Sequence, residues 1–348
     1  MNEQSRFTRF LQCSLSAVCL SAALQTDALA FSRLYVIGDS LSDSGNASVT
    51  YQGIVQQVGG PLPGFGPTVP SSVYFQGRAS NGPLYADVLA GKLGLTNQAS
   101  LLGGGNYAFG GSRTDYQLYG APFLGMLDQK NALLAQHPAI DSDALVVVFG
   151  GANNIQDLLR GQRTVGSSPP STLAETVQDL DTIIDDLYAA GARNFLVPNA
   201  PNVGIVPRVA LSGIPNAAAL ATGASVQLNA LLDDMLDDQI AQGRNIIKLD
   251  VFSLLQGILA NPAAFGITNV TTPCFTGDDL FFTTTNMPAP CASPDSYLFW
   301  DTIHPTAKVH EILGQAAFAA VVPEPQTYLL LGLGLLLVGG ARRASARR

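Results

Sequence analysis

Short apolar runs alternate with longer helix-like segments along most of this chain. Five strands are predicted in this way, at residues 34–37, in a segment near 105–109, and at 145–149, 194–197 and 246–249. Apolar runs separated by helical segments are typical of parallel strands joined by crossover helices. With 348 residues and 47% hydrophobic content, the chain can bury a full core. The pattern predicts one large α/β domain, with a parallel sheet of about five strands and helices on both faces.

The clearest helix is predicted between the third and fourth runs. There, Thr172 and Glu175 form a capping-box pattern, and apolar residues then recur at helical spacing. A second helical tract covers residues 217–242. By contrast, residues 51–80 and much of 261–300 are too rich in glycine and proline for regular elements. We therefore expect long loops there, of the kind that shape a substrate cleft.

The N-terminal segment has the pattern of a secretory signal peptide. Arg6 and Arg9 precede a mostly apolar stretch over residues 11–24, and Ala28-Leu29-Ala30 follows as the cleavage site. A basic start, an apolar centre and a small-residue cleavage site define such signals. A buried N-terminal helix is the alternative, but a strand-like run follows at once. We expect residues 1–30 to be a signal peptide that is removed on export.

The C-terminal segment combines a proline motif, an apolar run and a basic tail. Pro323-Glu324-Pro325 precedes the apolar residues 328–341, and four arginines follow: Arg342, Arg343, Arg347 and Arg348. The apolar run is shorter than the roughly 20 residues of a full membrane-spanning helix. The segment resembles the PEP-CTERM sorting signal of Gram-negative bacteria. The resemblance implies a short transmembrane helix and basic tail at residues 323–348, processing by an exosortase-type enzyme, and delivery to the cell surface or extracellular matrix.

The charge balance of the remaining body, residues 31–322, is strongly acidic. It contains 12 of the 18 basic residues and 23 of the 26 acidic ones, a net charge of −11. Proteins that bind nucleic acid need clustered Lys and Arg to neutralise phosphates. The acidic body therefore argues against a nucleic-acid partner and fits an exported domain.

The cysteines are consistent with export. Cys13 and Cys19 lie in the predicted signal peptide, which leaves Cys274 and Cys291 in one loop-rich stretch. An even pair in an exported chain predicts a disulfide between Cys274 and Cys291, with two free thiols as the alternative. A zinc site is not expected, because two cysteines without a nearby pair of histidines supply too few ligands.

Candidate reactive residues follow three of the predicted strands. Ser40 comes directly after the first run, Gly111 after the second and Asn153 after the third. Ligand sites of open parallel sheets lie beyond the carboxyl ends of the strands, so these residues are expected to converge. Much further on, Asp301 and His304 supply the carboxylate and the imidazole that a nucleophilic serine needs. Together they predict a serine nucleophile at the end of the first strand.

Four sequence blocks occur here in the order that defines a known family. They are centred on Ser40, on Gly111, on Asn153 and on the closing pair Asp301 and His304. Over roughly residues 33–320 the chain resembles the GDSL-type esterases and lipases of the SGNH hydrolase family. The resemblance implies a three-layer α/β/α sandwich with a flavodoxin-like parallel sheet as a single domain over residues 31–322. One departure is Asn154, where the family commonly has aspartate.

The resemblance also implies a role for each of these residues. Ser40 is the expected nucleophile, His304 the general base and Asp301 the carboxylate that orients it. The backbone N–H groups of Ser40 and Gly111 and the side-chain amide of Asn153 are the expected oxyanion hole. No metal or organic cofactor is expected. Taken singly, each residue has a structural alternative, as a turn former or a helix cap, but their shared order and their positions after strands favour an active site.

The expected activity is hydrolysis of carboxylic esters through an acyl-enzyme on Ser40, with lipid-like acyl esters as the favoured substrates. O-acetyl groups on an extracellular polysaccharide are the chief rival, because the sorting signal directs the protein to that matrix. Two alternatives remain. One is transfer of the acyl group to an alcohol instead of to water, and the other is a non-catalytic surface protein on a hydrolase scaffold. His310, six residues after His304, is expected on a helix surface.

Overall fold

The computed structural model of the chain describes residues 31–60, 73–115, 124–161, 170–277 and 288–322. Apart from Val322, the described residues belong to one unit that spans Phe31–Val321. The predicted signal peptide at residues 1–30 and the predicted sorting segment at residues 323–348 lie outside them. No helix in the described ranges is both long enough and apolar enough to cross a bilayer.

The main sheet of the described residues contains four parallel strands. They are β1 (Leu34–Gly38), β2 (Leu145–Phe149), β3 (Asn194–Pro198) and β4 (Asn245–Leu249), in that spatial order. Leu145 of β2 is in register with Leu34 on one side and Asn194 on the other. All residues of β1, β2 and β3 are buried, as expected for parallel strands covered on both faces.

Residues 105–109 add a short edge next to β1. The N–H of Tyr107 donates to the carbonyl of Val36 (2.8 Å), and that of Phe109 donates to the carbonyl of Gly38 (3.2 Å). The segment forms isolated bridges and not a regular strand, so four of the five predicted strands are confirmed and the fifth is present only as this edge. Counting the edge, the order along the sheet is second, first, third, fourth, fifth, which is the flavodoxin-like order.

Nine α-helices are present among the described residues. They are α1 (Asn46–Val58), α2 (Tyr85–Leu93), α3 (Met126–Gln136), α4 (Ala152–Arg160), α5 (Leu173–Ala189), α6 (Pro207–Ala210), α7 (Ala217–Ala241), α8 (Val251–Ala260) and α9 (Ala307–Val321). Short 3₁₀ turns lie at Phe75–Gly77, Ser100–Leu102, Val203–Ile205, Pro262–Phe265 and Pro294–Ser296.

The helices pack in two groups, as a three-layer α/β/α sandwich requires. Helices α3, α5 and α7 contact one another in series, whereas α2 packs against α9. Right-handed crossovers between parallel strands place connecting helices in this way. The predicted capping box of α5 is confirmed, because Thr172 Oγ1 accepts from the Glu175 N–H (3.2 Å) and the Glu175 carboxylate accepts from the Thr172 N–H (2.8 Å).

Helix α1 corrects the prediction of an irregular segment from residue 51 onwards. It continues to Val58 despite an internal glycine, Gly53. Ala47 and Tyr51 are buried on one of its faces. Tertiary burial of this face therefore overrides the local composition, as it often does for weak helix formers.

A second, two-stranded sheet leads into the predicted Asp-x-x-His block. Strand β5 (Asn269–Pro273) pairs in parallel with β6 (Tyr297–Phe299). Cys274 and Cys291 are joined in the structure, with their Cα atoms 4.9 Å apart. Next to them, the rings of Phe275 and Trp300 stack at a centroid distance of 5.7 Å. Tyr74 packs edge-on against both rings, and we call Tyr74, Phe275 and Trp300 the aromatic cluster.

The Cys274–Cys291 bond is predicted to persist in the exported protein and to stabilise it. The bond closes a loop with a sequence separation of 17 residues. Replacing both cysteines by serine should lower the free energy of unfolding in urea by about 2–4 kcal/mol. Peptide mapping without reduction should recover the two cysteines in one linked pair. Recovery of both as free thiols from unreduced protein would contradict the assignment.

Candidate active site

The turn after β1 holds Ser40 against the sheet. The N–H groups of Ser42 and Asp43 both donate to the carbonyl of Asp39 (3.0 Å each), which closes the turn. The side-chain amide of Gln129 bonds to both the N–H and the carbonyl of Gly38 (2.9 Å each). A Cβ at Gly38 would lie 2.6 Å from the carbonyl oxygen of Phe149, so only glycine allows this approach to β2.

Ser40, His304 and Asp301 lie in one hydrogen-bonded line. Ser40 Oγ is 2.9 Å from His304 Nε2, and His304 Nδ1 is 2.7 Å from Asp301 Oδ2. All three residues are buried, with 8%, 4% and 0% of their surface exposed, respectively. With a carboxylate as its partner, Nδ1 carries the proton and Nε2 is left to accept one from the serine hydroxyl. The structure thus brings together the three residues that the sequence predicts as nucleophile, base and orienting carboxylate.

Asp301 and His304 occupy a tight turn between β6 and α9. The N–H of Trp300 donates to the carbonyl of His304 (2.8 Å) and closes this turn. Inside it, Asp301 Oδ1 accepts from the N–H groups of Ile303 (2.9 Å) and His304 (2.7 Å). The spacing of three residues therefore lets one carboxylate fix both the backbone and the imidazole of the turn.

The three predicted oxyanion donors come from separate segments, and Asn153 lines the same cavity as Ser40. In the described part of the chain, neither the N–H of Ser40 nor that of Gly111 donates to another protein group. Gly111 has a φ of +80°, a conformation that favours glycine. The side chain of Asn153 donates one hydrogen to the carbonyl of Ser112 (3.0 Å) and accepts from Gln156 (3.3 Å). These two bonds orient the amide and leave its second hydrogen available.

The carboxylate of Asp43 joins the serine turn to the glycine segment. It accepts from the backbone N–H groups of Gly45 (2.8 Å), Asn46 (2.6 Å) and Ala47 (3.0 Å) at the start of α1. It also accepts from the N–H of Gly110 (2.8 Å). A buried carboxylate with four backbone donors is well satisfied, and it holds the residue before Gly111 at a fixed place relative to Ser40.

Two buried asparagines complete this connection. Asn46 Nδ2 donates to the carbonyls of Asn106 (2.7 Å) and Ala108 (3.0 Å), while Asn106 Nδ2 donates to the carbonyl of Ser42 (2.7 Å). Sequence reasoning did not assign a role to Asp43, Asn46 or Asn106. The available signal was their position, since the first two follow Ser40 within one run and Asn106 lies five residues before Gly111.

An ion pair fixes the loop that follows Gly111. Arg113 makes a bidentate contact with Asp157 of α4 (2.7 Å for each bond) and also donates to the carbonyl of Gly111. Asn154, the departure from the family pattern, accepts from the N–H of Thr114 (3.2 Å) and donates to its hydroxyl (3.1 Å). The amide of Asn154 thus binds this loop to α4 with both of its polar atoms.

Burial perturbs three ionisable groups near the serine. It raises the pKa of Asp39 to about 6, although the N–H of Leu41 and the charges of His304 and Arg113 oppose the shift. Burial likewise raises the pKa of Asp43 to about 6 against its backbone hydrogen bonds. His310 is fully buried and not on a helix surface, so that prediction is wrong. Helix α9 packs on α2, so His310 Nδ1 accepts from the Tyr85 N–H (3.3 Å). Burial lowers the pKa of His310 to about 3.

An apolar cavity opens next to Ser40 and His304. Its walls include Phe149 at the end of β2, residues of the 201–206 loop, Val251 and Leu255 of α8, and Phe299 of β6. Asp39, Asn153 and Gln156 are among the polar residues that line it. Within the described ranges, no group of three or more His, Cys, Asp or Glu side chains is arranged to hold a metal ion.

The raised pKa of Asp39 predicts a pH-dependent loss of stability. The pKa in the folded protein lies above the ordinary value of 3.8, so the native state binds the proton more tightly. The resulting stability is present below that ordinary value and is lost as the pH rises through about 6. Asp39→Asn removes this titration. Between about pH 4 and pH 7, its free energy of unfolding should gain up to about 3 kcal/mol on wild type.

Urea unfolding of both proteins at several pH values tests this expectation. Asp250→Asn is the matched control. Although burial alone would raise the pKa of Asp250, hydrogen bonds from Ser253 and Asn199 lower it. The pKa of Asp250 lies below 3.8, so its stability contribution changes mainly below about pH 4, and the difference between Asp250→Asn and wild type should stay nearly constant from pH 4 to pH 7. An Asp39→Asn difference that stays constant with pH would show that Asp39 is not the titrating group.

Two solved structures match most of the chain at low sequence identity. A catalytic mutant of an acetylxylan esterase from Geobacillus stearothermophilus matches 83% of this chain and 93% of its own, with 13% identity and a TM-score of 0.42. An extracellular lipase from Streptomyces rimosus matches 82% of this chain and 100% of its own, with 16% identity and a TM-score of 0.38. At these scores the two likenesses carry no argument about activity.

Two sequence relatives have higher identity to the chain than these two structures. Esterase EstA of Pseudomonas aeruginosa is 30% identical over 344 residues, which cover 88% of this chain and 50% of that protein. The phosphatidylcholine-sterol acyltransferase of Aeromonas hydrophila is 27% identical over 277 residues, which cover 77% of this chain and 73% of that protein. The chain spans about half the length of the EstA proteins that it matches.

Two family models match the chain in separate places. Residues 321–344 match the PEP-CTERM protein-sorting motif, which confirms the resemblance seen in the sequence. Residues 34–317 match the GDSL-like lipase/acylhydrolase model, and this range includes the five residues predicted for catalysis and the oxyanion hole. Because that match covers most of the chain, the protein belongs to the GDSL-like lipase/acylhydrolase family.

Proposed function

We propose that this protein is an exported serine esterase that hydrolyses carboxylic esters through an acyl-enzyme on Ser40. The observation that carries the proposal is the line of contacts from Ser40 Oγ to His304 Nε2 (2.9 Å) and from His304 Nδ1 to Asp301 Oδ2 (2.7 Å). Membership of the family and the esterases among the relatives support it. Serine becomes a useful nucleophile at neutral pH only when such a base is in reach.

In the first half-reaction, Ser40 Oγ attacks the ester carbonyl carbon while its proton moves to His304 Nε2. Asp301 stabilises the imidazolium that forms. When the tetrahedral intermediate collapses, the bond to the alcohol oxygen breaks and His304 gives that oxygen its proton. A water molecule then attacks the acyl-Ser40 ester while its proton moves to His304. The carboxylic acid is released, and Ser40 regains its proton from His304.

The oxyanion of both tetrahedral intermediates requires fixed donors. We assign this role to the N–H groups of Ser40 and Gly111 and to the Asn153 side chain. The assignment is supported by the uncommitted N–H groups and by the oriented amide. The Asp43 carboxylate and the Arg113–Asp157 pair brace the glycine loop, so these donors need little rearrangement during the reaction.

The acyl group of the substrate is proposed to enter the apolar cavity next to Ser40. Val251 and Leu255 of α8 and Val203 and Val206 of the 201–206 loop are buried and line it. Burying a methylene group stabilises a complex by about 0.8 kcal/mol. The cavity therefore favours an acyl chain of several carbons over acetate, and lipid-like esters over O-acetyl groups.

Export and sorting complete the proposal. The PEP-CTERM motif implies surface sorting in a Gram-negative bacterium, and an exosortase-type enzyme is the proposed processing partner. In this view residues 1–30 direct export, residues 31–322 form the catalytic domain, and residues 323–348 are the processed sorting signal. An extracellular polysaccharide is the partner expected if the physiological substrate is an O-acetyl ester.

Acyl transfer is the second candidate function. It is supported by the similarity to a phosphatidylcholine-sterol acyltransferase. Hydrolysis and transfer share the acyl-enzyme and differ only in whether water or an alcohol attacks it. Product analysis in the presence of competing alcohols separates the two.

Replacing Ser40 by alanine should abolish ester hydrolysis. The expected loss in kcat is at least about 10³-fold, because only transition-state binding remains. The assay uses p-nitrophenyl esters of graded acyl length, together with labelling by a fluorophosphonate that reacts with activated serines. Wild type should be labelled and Ser40→Ala should not.

Asn153→Ala serves as the graded control for this experiment. It keeps the nucleophile and base but removes one proposed oxyanion donor, so kcat should fall by roughly 10² to 10³. Wild-type protein that neither hydrolyses any ester nor reacts with the fluorophosphonate would support a non-catalytic surface protein. A sharp preference for acetate would support deacetylation of a polysaccharide.

Filling the apolar cavity should shift the chain-length preference. Leu255→Trp adds volume on a cavity wall, so kcat/KM for octanoate esters should fall about tenfold or more relative to butyrate esters. Leu254→Trp is the control, because Leu254 precedes it on α8 but is not among the lining residues of this described cavity. Equal chain-length profiles for the two variants would place the acyl group elsewhere.

A further inference from the structure

The carboxylate of Asp301 has one more hydrogen-bond partner than its own turn provides. Its Oδ1 accepts from two backbone N–H groups of the turn, and its Oδ2 accepts from His304 Nδ1. Oδ2 also accepts from the hydroxyl of Tyr74 at 2.7 Å. Tyr74 is 227 residues away in sequence, on the segment before α2. A hydrogen bond to a charged, fully buried group is among the stronger ones in a protein.

The ring of Tyr74 is held so that its hydroxyl can make this bond. Tyr74 is 3% exposed and packs edge-on against Phe275 (5.7 Å between centroids) and Trp300 (6.3 Å). Phe275 and Trp300 are also linked by a backbone hydrogen bond from the Phe275 N–H to the Trp300 carbonyl. Trp300 directly precedes Asp301. The aromatic cluster therefore fixes the positions of donor and acceptor together.

The backbone next to Tyr74 is anchored to the other end of the same turn. The N–H of Phe75 donates to the carbonyl of Ser80 (2.9 Å) and closes this loop. The hydroxyl of Ser80 donates to the carbonyl of Pro305, the residue after His304 (2.9 Å). A bidentate pair between Arg78 and Asp87 attaches the loop to α2 (2.7 and 2.9 Å). The loop thus contacts the Asp301–His304 turn at both of its ends.

We propose that Tyr74 is a positioning residue for the reaction assigned to Ser40. Its hydroxyl holds Asp301 Oδ2 in line with His304 Nδ1 and takes up part of the charge of the carboxylate. The imidazole then stays in the orientation and tautomer that accept the proton of Ser40. Tyr74 is not among the lining residues of this described cavity next to Ser40, and it acts through Asp301. This inference rests on the proposed esterase function.

Tyr74→Phe tests the inference, because it removes the hydroxyl and keeps the ring in the aromatic cluster. We expect kcat to fall about tenfold with KM within about twofold of wild type. With the hydroxyl gone, the negative charge on Asp301 attracts a protonated imidazole more strongly, so the acid limb of the kcat/KM profile should move to higher pH. The downfield ¹H NMR signal of the His304 Nδ1 proton should also shift.

Tyr107→Phe is the matched control, since Tyr107 is equally buried and its hydroxyl bonds to Gln136 (2.9 Å), away from Asp301. Asp39 and His310, which interact electrostatically with His304, are retained in both variants. The control should keep the wild-type kcat, acid limb and proton signal.

The outcomes separate this inference from the proposed function. A Tyr74→Phe variant with wild-type kcat and an unmoved acid limb would overturn the inference, as would a fall in kcat without movement of the limb and the proton signal. If wild type hydrolyses no ester, the proposed function fails. In that case the proton signal still decides whether Tyr74 positions the pair, because it needs no substrate.

Discussion

The contact between Ser40 Oγ and His304 Nε2 is the interaction on which the rest of this structure depends. It joins residues 264 positions apart, and a serine proton can move to an imidazole only across such a distance of 2.9 Å. A parallel sheet solves this problem because the carboxyl ends of its strands meet at one edge. β1 lies inside the sheet, between β2 and the 105–109 edge, so its end presents Ser40 at a buried, well-packed place. Gly38 approaches the carbonyl of Phe149 closely, and the Gln129 side chain bonds to both backbone groups of Gly38. These contacts keep Ser40 in this position.

Holding such a site in a dry interior costs stability, and the chain offsets this cost with a polar network. Asp43, Asn46 and Asn106 are buried, and each places its side chain on several backbone groups. A fully satisfied network of this kind is rigid, whereas a partly satisfied one would be strongly destabilising. Asp39 has fewer donors, and burial still raises its pKa to about 6. Burial therefore opposes the ionisation of Asp39, a cost in stability that the fold tolerates at a position close to His304.

The parts that could be predicted from sequence are those that depend on local pattern. The strands are short apolar runs, and Ser40 and Asn153 follow two of them, which predicts that these two residues lie near each other. A spacing of three residues predicts that Asp301 and His304 share one turn. Tyr74 could not be found in this way. It lies in a segment whose glycine and proline content predicts only a loop, and its partner, Asp301, is 227 residues later in the sequence. His310 was placed wrongly for a related reason: its burial is due to α2, a helix more than 200 residues earlier. α1 forms against local composition through the burial of Tyr51.

This difference explains why the family's chemistry is easier to read than its specificity. The reacting atoms come from motifs of a few residues, which the ends of strands bring together in any protein with this sheet order. The cavity next to Ser40 is assembled instead from β2, the 201–206 loop, α8 and β6, and none of these segments is a motif. Each wall position tolerates several apolar residues, since only the summed shape and volume decide which acyl chain fits. Under the proposed function, substitutions at these walls are expected to change substrate preference without disturbing the Ser40–His304 contact.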